Sequence, residues 1–227
     1  CCWPIMIKEQ YRSDYEGEFV ITESKWSGGK KTQNREWVEN PINNQHISGR
    51  AACIASDIDK HNFNYTRLHR HKGGLLGSKK LQTYGTGSIT KEMRLDFAVE
   101  INRPILQDIL DRGYSTDNIV YTTTRNCLVN PGEFYLIPYN TLMAMEALVL
   151  WLAAFDGHTE IFMLGYSNTT PGTTSEWMSH VNTVISVFPS VKFTLVGEET
   201  NMPREWRKNA NVNVMDHRPF VSYCDVR

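Results

Sequence analysis

Thr141-Leu142-Met143-Ala144-Met145-Glu146-Ala147-Leu148-Val149-Leu150-Trp151-Leu152-Ala153-Ala154-Phe155-Asp156-Gly157-His158-Thr159-Glu160-Ile161-Phe162-Met163-Leu164-Gly165 reads as a helix, a stop and a buried strand. Thr141 to Phe155 is apolar around almost its whole circumference, which predicts a helix inside a core rather than on a surface, and Asp156-Gly157 ends it. Glu160 to Leu164 is a short run of the kind buried on both faces, and Gly165 begins the loop after it. A second helix follows over Trp177 to Phe188, with Val181, Val184, Ile185 and Phe188 at helical spacing. Val191 to Val196 is a second strand, and Val212 to Met215 a last short one. Helix, turn, apolar strand, loop, helix and apolar strand is the pattern of a parallel sheet covered on both faces.

Working back towards the amino terminus, Leu95 to Ile101 alternates as a strand, and Pro104 sits in the first turn of a helix whose stripe is Ile105, Leu106, Ile109 and Leu110. Gly113 stops that helix; Ile119 to Thr122 and Phe134 to Ile137 are short strands. Asn64 to Leu68 and Lys80 to Tyr84 are further strand candidates, while Ile47 and Ala51–Ile54 bracket a small-residue turn. The fold expected is α/β: a Rossmann-like, mostly parallel sheet with helices on both faces, in a single domain over residues 46–227. Residues 1–45 are polar and irregular, with one strand at Glu18 to Thr22 and a turn at Ser27-Gly28-Gly29-Lys30-Lys31, and read as an extension packed on that domain.

A chain of 227 residues fits one large domain, and a net charge of −1 gives no overall field towards nucleic acid or an anionic membrane. The longest apolar run, Leu142 to Phe155, is too short to span a bilayer. Cys1-Cys2-Trp3-Pro4 does not read as a secretion signal, and the missing initiator Met suggests a trimmed boundary or a piece of a longer chain. Five scattered cysteines make no disulfide framework, so reduced thiols and a cytoplasmic location are expected.

In such sheets ligands sit beyond the carboxyl ends of the strands, which singles out the loops after Ile47, Tyr84 and Leu164. Ile47-Ser48-Gly49-Arg50-Ala51-Ala52-Cys53-Ile54 reads as a strand-to-helix turn whose small residues, Ser48 and Gly49 among them, let backbone N–H groups approach a phosphate, with Arg50 adding a charged contact. A plain tight turn explains the same residues. Arg67-Leu68-His69-Arg70-His71-Lys72-Gly73-Gly74 is a basic run suited either to gripping an anionic ligand or to solvation as a loop, and no metal-ligand spacing accompanies it. Ser27 to Lys31 lacks the spacing of a Walker loop, and Gly85-Thr86-Gly87-Ser88 lacks the full dinucleotide fingerprint. His180 falls near a helix start, where the dipole disfavours the imidazolium and leaves a neutral ring fit for general-base work, or else a bystander on the surface.

The order and spacing of these pieces resemble the bacterial lipo-oligosaccharide sialyltransferases, metal-independent inverting glycosyltransferases that use a CMP-activated sugar. The segment Ile47–Ile54 stands where that family has a Gly-rich first turn, and Arg67-Leu68-His69 where it has Arg-x-Asn. Leu76-Gly77-Ser78-Lys79-Lys80 mirrors a Leu-Gly-Lys-Lys turn, with Thr86 near the next ligand position. Gly157-His158-Thr159-Glu160-Ile161 mirrors a Gly-aromatic-Lys-Glu-Ile turn, and His180 falls where the family's catalytic base opens a helix. The resemblance covers about two thirds of the chain, Ile47 to Val196. It implies catalytic roles for His180 and Tyr166, and donor contacts from Ser48, Gly49, Arg50, Arg67, His69, Thr86, Ser167 and Asn168. It further implies a nucleotide-sugar as substrate rather than a bound cofactor, no metal, and a glycan or other hydroxyl as acceptor. Two alternatives stand beside it: a non-catalytic nucleotide- or glycan-binding module of the same fold, and a transferase acting on nucleic acid through the Arg67–Lys80 strip, less favoured by the neutral charge. The oligomeric state is open.

Overall fold

The computed structural model describes residues 7–39, 49–55, 68, 81–166 and 175–224. Eight strands form one all-parallel sheet: β3 (Arg50–Ile54), β4 (Gln82–Thr86), β5 (Phe97–Val99), β6 (Ile119–Thr122), β7 (Tyr135–Leu136), β8 (Glu160–Leu164), β9 (Lys192–Val196) and β10 (Val212–Met215). Their order is β10-β9-β8-β3-β4-β5-β6-β7. Ahead of them, β1 (Gly17–Ser27) and β2 (Lys30–Glu39) make a separate antiparallel ribbon turning at Gly28-Gly29, both with positive φ. The expected α/β, Rossmann-like sheet is the observed one.

Alternation along each strand sorts side chains into two cores. Ala51, Cys53, Phe97, Val99, Ile161 and Met163 face one layer, with α4 (Met145–Phe155) and α5 (Ser175–Val187). Ala52, Ile54, Ala98, Phe162 and Leu164 face the other, with α1 (Arg103–Asp111) and α6 (His217–Cys224). Two short helices, α2 (Tyr114–Asp117) and α3 (Thr124–Val129), flank β6. Leu68, the one described residue of the predicted Asn64–Leu68 strand, is buried in the second core. No described helix is long and apolar enough to cross a membrane.

The segment Ala51–Ile54 corrects the sequence reading. It is not a turn but the interior of β3, completely buried between β4 and β8. Small side chains are needed there because helices press on both faces of a central strand. The periodicity of so short a run does not separate such a strand from a tight turn.

α4 is buried from Ala147 to Phe155, which accounts for its all-round apolar sequence. One side lies on the sheet; the other is covered partly by the amino-terminal segment, where Tyr15 meets Phe155 edge-on. Arg12 comes with it. Its Nε donates to Asp156 Oδ1 at 2.5 Å and its Nη2 to the Tyr121 hydroxyl at 2.9 Å, while the guanidinium lies over the Phe155 ring. Asp156 Oδ2 accepts from the Tyr84 hydroxyl at 2.6 Å, and Tyr84 in turn meets His158 Nε2 at 2.9 Å. Taking an Arg and an Asp out of water is tolerated because each is paired and hydrogen-bonded.

Candidate functional site at the carboxyl rim of the sheet

β3 to β7 run outwards in one direction and β8 to β10 in the other, so the strand order reverses between β3 and β8. Sheets of this kind hold ligands in the crevice beyond the strand ends at that reversal. β3 leaves through Ile54-Ala55 and β8 through Leu164-Gly165-Tyr166. Of the expected contacts, Ser48, Arg67, His69, Ser167 and Asn168 lie outside the described residues. Among the described residues that follow the strand ends or begin the next helices on this rim are Thr86, Glu100, the start of α4, Tyr166 and His180.

His180 is the sixth residue of α5, two residues deeper than the sequence suggested because the helix starts at Ser175 rather than Trp177, and so beyond the first turn where the helix dipole acts. Its Nδ1 accepts the backbone N–H of Ala144, the residue capping α4, at 3.0 Å. A neutral imidazole has one N–H and one lone pair. With the lone pair on Nδ1 engaged, the proton sits on Nε2, which lies 3.9 Å from the Glu176 carboxylate. In this arrangement the ring is a hydrogen-bond donor towards the rim. That modifies the expected general base, because the nitrogen left free to meet a substrate is the one carrying the proton.

Tyr166 is completely buried, and its hydroxyl donates to the Glu146 carbonyl at 2.8 Å. Burial pushes its phenol well above the usual range, so it remains a neutral donor committed to α4. Its part here is to hold the first turn of α4 against the end of β8. Thr86 ends β4, buried, with Oγ1 3.0 Å from Ser88 Oγ.

Two carboxylates on this rim were not singled out from the sequence. Glu100 follows β5 and is buried; its Oε1 accepts the N–H groups of Ile101 at 2.9 Å and Asn102 at 2.8 Å. Burial raises its pKa, and the donated N–H groups, Gly87 among them, only partly counter that. Glu146, half-buried in the first turn of α4, is close enough to Glu100 to add to the rise. A single charged residue in the Leu142–Phe155 apolar run was the signal that could have marked it.

Gly49 and Arg50 are placed elsewhere. β3 begins at Arg50, paired with Glu160 at the start of β8, and the Gly49 carbonyl accepts the Thr159 N–H at 2.8 Å. Both therefore stand at the amino edge, one strand length, on the order of 13 Å at 3.3 Å per residue, from the rim that holds Tyr166 and His180. The expected convergence of this segment with His180 does not occur, because the residues read as a phosphate turn are the strand itself.

Further along the rim an open cleft of about 530 Å³ lies beyond β6, lined by Thr123, Thr124, Arg125, Leu128 and Asn140, with Ile21 of the ribbon on one side. Among the described residues no group of three or more His, Cys, Asp or Glu is placed to hold a metal ion.

No protein-family model and no curated protein matches the chain. Among solved structures it is similar to the sialyltransferase CstII from Campylobacter jejuni, solved in complex with a substrate analogue, cytidine-5'-monophosphate. The two share 8% identity over 64% of this chain and 78% of that one, with a TM-score of 0.43.

Proposed function

We propose that the chain binds a nucleotide-activated sugar across the carboxyl rim between β3 and β8 and transfers the sugar to an acceptor hydroxyl. The observation that carries this reading is the reversal of strand order at β3/β8, with His180 fixed beside it through the Ala144 N–H. Transfer needs an acceptor oxygen to attack the anomeric carbon while the bond to phosphate breaks, the electron pair leaving with the phosphate. His180 Nε2–H is a donor for the oxygen that gains charge. The acceptor's proton must go to a lone pair, and the Glu146 carboxylate is the half-buried rim group able to take it. A base role for His180 itself requires the ring to release Ala144 first.

A second reading, a binding module without turnover, is favoured by the commitment of Tyr166 and His180 Nδ1 to backbone groups of α4. One experiment separates the two. A panel of nucleotides and nucleotide-sugars, CMP-sugars first, is screened by calorimetry and for sugar release. Binding with release that is lost in Glu146→Gln supports transfer; binding without release supports the module; no binding by any nucleotide refutes both.

A further inference from the structure

The ribbon of β1 and β2 stands apart from the main sheet and presents one face that is almost uncovered. Cross-strand partners share a face, so the pairs Phe19↔Trp37, Ile21↔Arg35, Ser24↔Gln33 and Trp26↔Lys31 fall together, the parity being reset by the bulge between Ile21 and Glu23. The opposite face carries Val20, which is buried, and Glu18, whose carboxylate accepts the N–H groups of Tyr139 and Asn140; the base of that face is the side seated on the body. The free face holds Phe19 at 64% exposure, Trp26 at 73% and Trp37 at 46%.

A two-stranded ribbon is marginal alone in water, and this one has two long strand edges that pair with nothing among the described residues. Its charge is divided along its length. On the aromatic face exposed Glu39 lies at the base and exposed Lys31 towards the tip, with Arg35 between them, while Lys25, Lys30 and Glu36 project from the other face and Lys25 is paired with Glu23 at 3.0 Å. Such a distribution complements itself when one ribbon is laid head to tail on another.

We propose that a second copy of this chain covers the ribbon, the two aromatic faces packing about a two-fold axis near the bulge, opposite Asn34. Head-to-tail packing about that point brings Trp26 of one chain over Phe19 of the other, Lys31 over the Trp37 ring, and Gln33 against Arg35. These are aromatic, cation–π and hydrogen-bonding pairs. Lys31 near the tip of one chain then also comes towards Glu39 at the base of the other. With large aromatics offering about 150–250 Å² each, the exposed parts of Phe19, Trp26 and Trp37 amount to roughly 270–460 Å² per ribbon, and the exposed Ile21, Lys31 and Arg35 beside them carry a pair towards the lower end of stable interfaces, about 1,200 Å² in total. Exposed Leu128 and Leu142 in the cleft beside Ile21 extend the same apolar surface.

The test is sedimentation and light scattering on the full chain at micromolar concentration. The expected mass is that of two chains. Trp26→Ser, at an exposed position, is expected to keep the melting temperature and to weaken self-association at least about tenfold. Lys31→Glu is expected to weaken it as well, and adding Glu39→Lys to restore it. A wild-type chain that sediments singly overturns the proposal, and so does a dimer indifferent to both changes. A single chain whose Trp26 fluorescence is quenched by a thymidine oligonucleotide or an immobilised oligosaccharide reassigns the face to that ligand and overturns it equally.

Discussion

Nδ1 of His180 lies 3.0 Å from the backbone nitrogen of Ala144 and accepts its hydrogen, tying the middle of α5 to the first turn of α4 across the carboxyl rim. The proton of the neutral ring is therefore expected on Nε2. Long-range proton–nitrogen correlation spectra of the imidazole check this, and a protonated Nδ1 in the neutral ring would refute it. His180→Asn is expected to weaken nucleotide affinity about tenfold or more, the loss of one hydrogen bond to a charged group, as read by calorimetry.

The Arg12–Asp156 pair is a second point of test. Removing the guanidinium by Arg12→Met leaves a buried carboxylate without its cation and is expected to cost roughly 3–5 kcal/mol in denaturant unfolding. Arg12→Met combined with Asp156→Asn keeps an acceptor for the Tyr84 hydroxyl and removes the orphaned charge. The double variant is expected to be more stable than Arg12→Met alone; equal stability would show that the pair is not coupled.

Glu100 sets a pH dependence. Burial holds its folded pKa above the ordinary carboxyl value, so the folded chain binds this proton more tightly than the unfolded chain. Its contribution to stability is present at acid pH, below the unfolded value, and is lost as pH rises through the folded one. Glu100→Gln lacks this dependence. Lowering the pH from neutrality should shift the stability difference in favour of the wild type, and urea melts whose difference is unchanged with pH would count against it.

Gly87 has no room for a methyl group. A Cβ there would lie 2.7 Å from Glu100 Oε2, on a carboxylate already fixed by backbone donors. Gly87→Ala is expected to cost about 1–3 kcal/mol by overpacking. The cost should shrink in a Glu100→Ala background, where Oε2 and Cγ are gone and only the residue-100 Cβ at 2.9 Å remains, and a thermal double-mutant cycle measures the difference.

The sequence made β8, β9 and the helices α4 and α5 readable because their apolar residues recur at the periods of buried elements. β3 escaped because Ala51, Ala52 and Cys53 are as small as turn residues. β2 escaped for the opposite reason: Lys30 to Glu39 is mostly polar and solvated on both faces, so no burial pattern marks it, and only the Gly28-Gly29 turn hinted at a partner strand. At the rim, the presence of a histidine after β8 was legible. Which of its nitrogens is occupied was not, since that depends on the backbone of Ala144, 36 residues earlier in the chain. The amino-edge position of Gly49 and Arg50 followed from the misread strand.

Arg12 and Asp156 are 144 residues apart, and Arg50 pairs with Glu160 across the centre of the sheet. On a ribosome the amino-terminal segment and β3 must wait for α4 and β8 to emerge before either can close. Topologies dominated by such distant contacts assemble slowly. During that wait the small apolar strand and the aromatic ribbon are exposed to any neighbouring nascent chain, a period in which a chaperone would find its client.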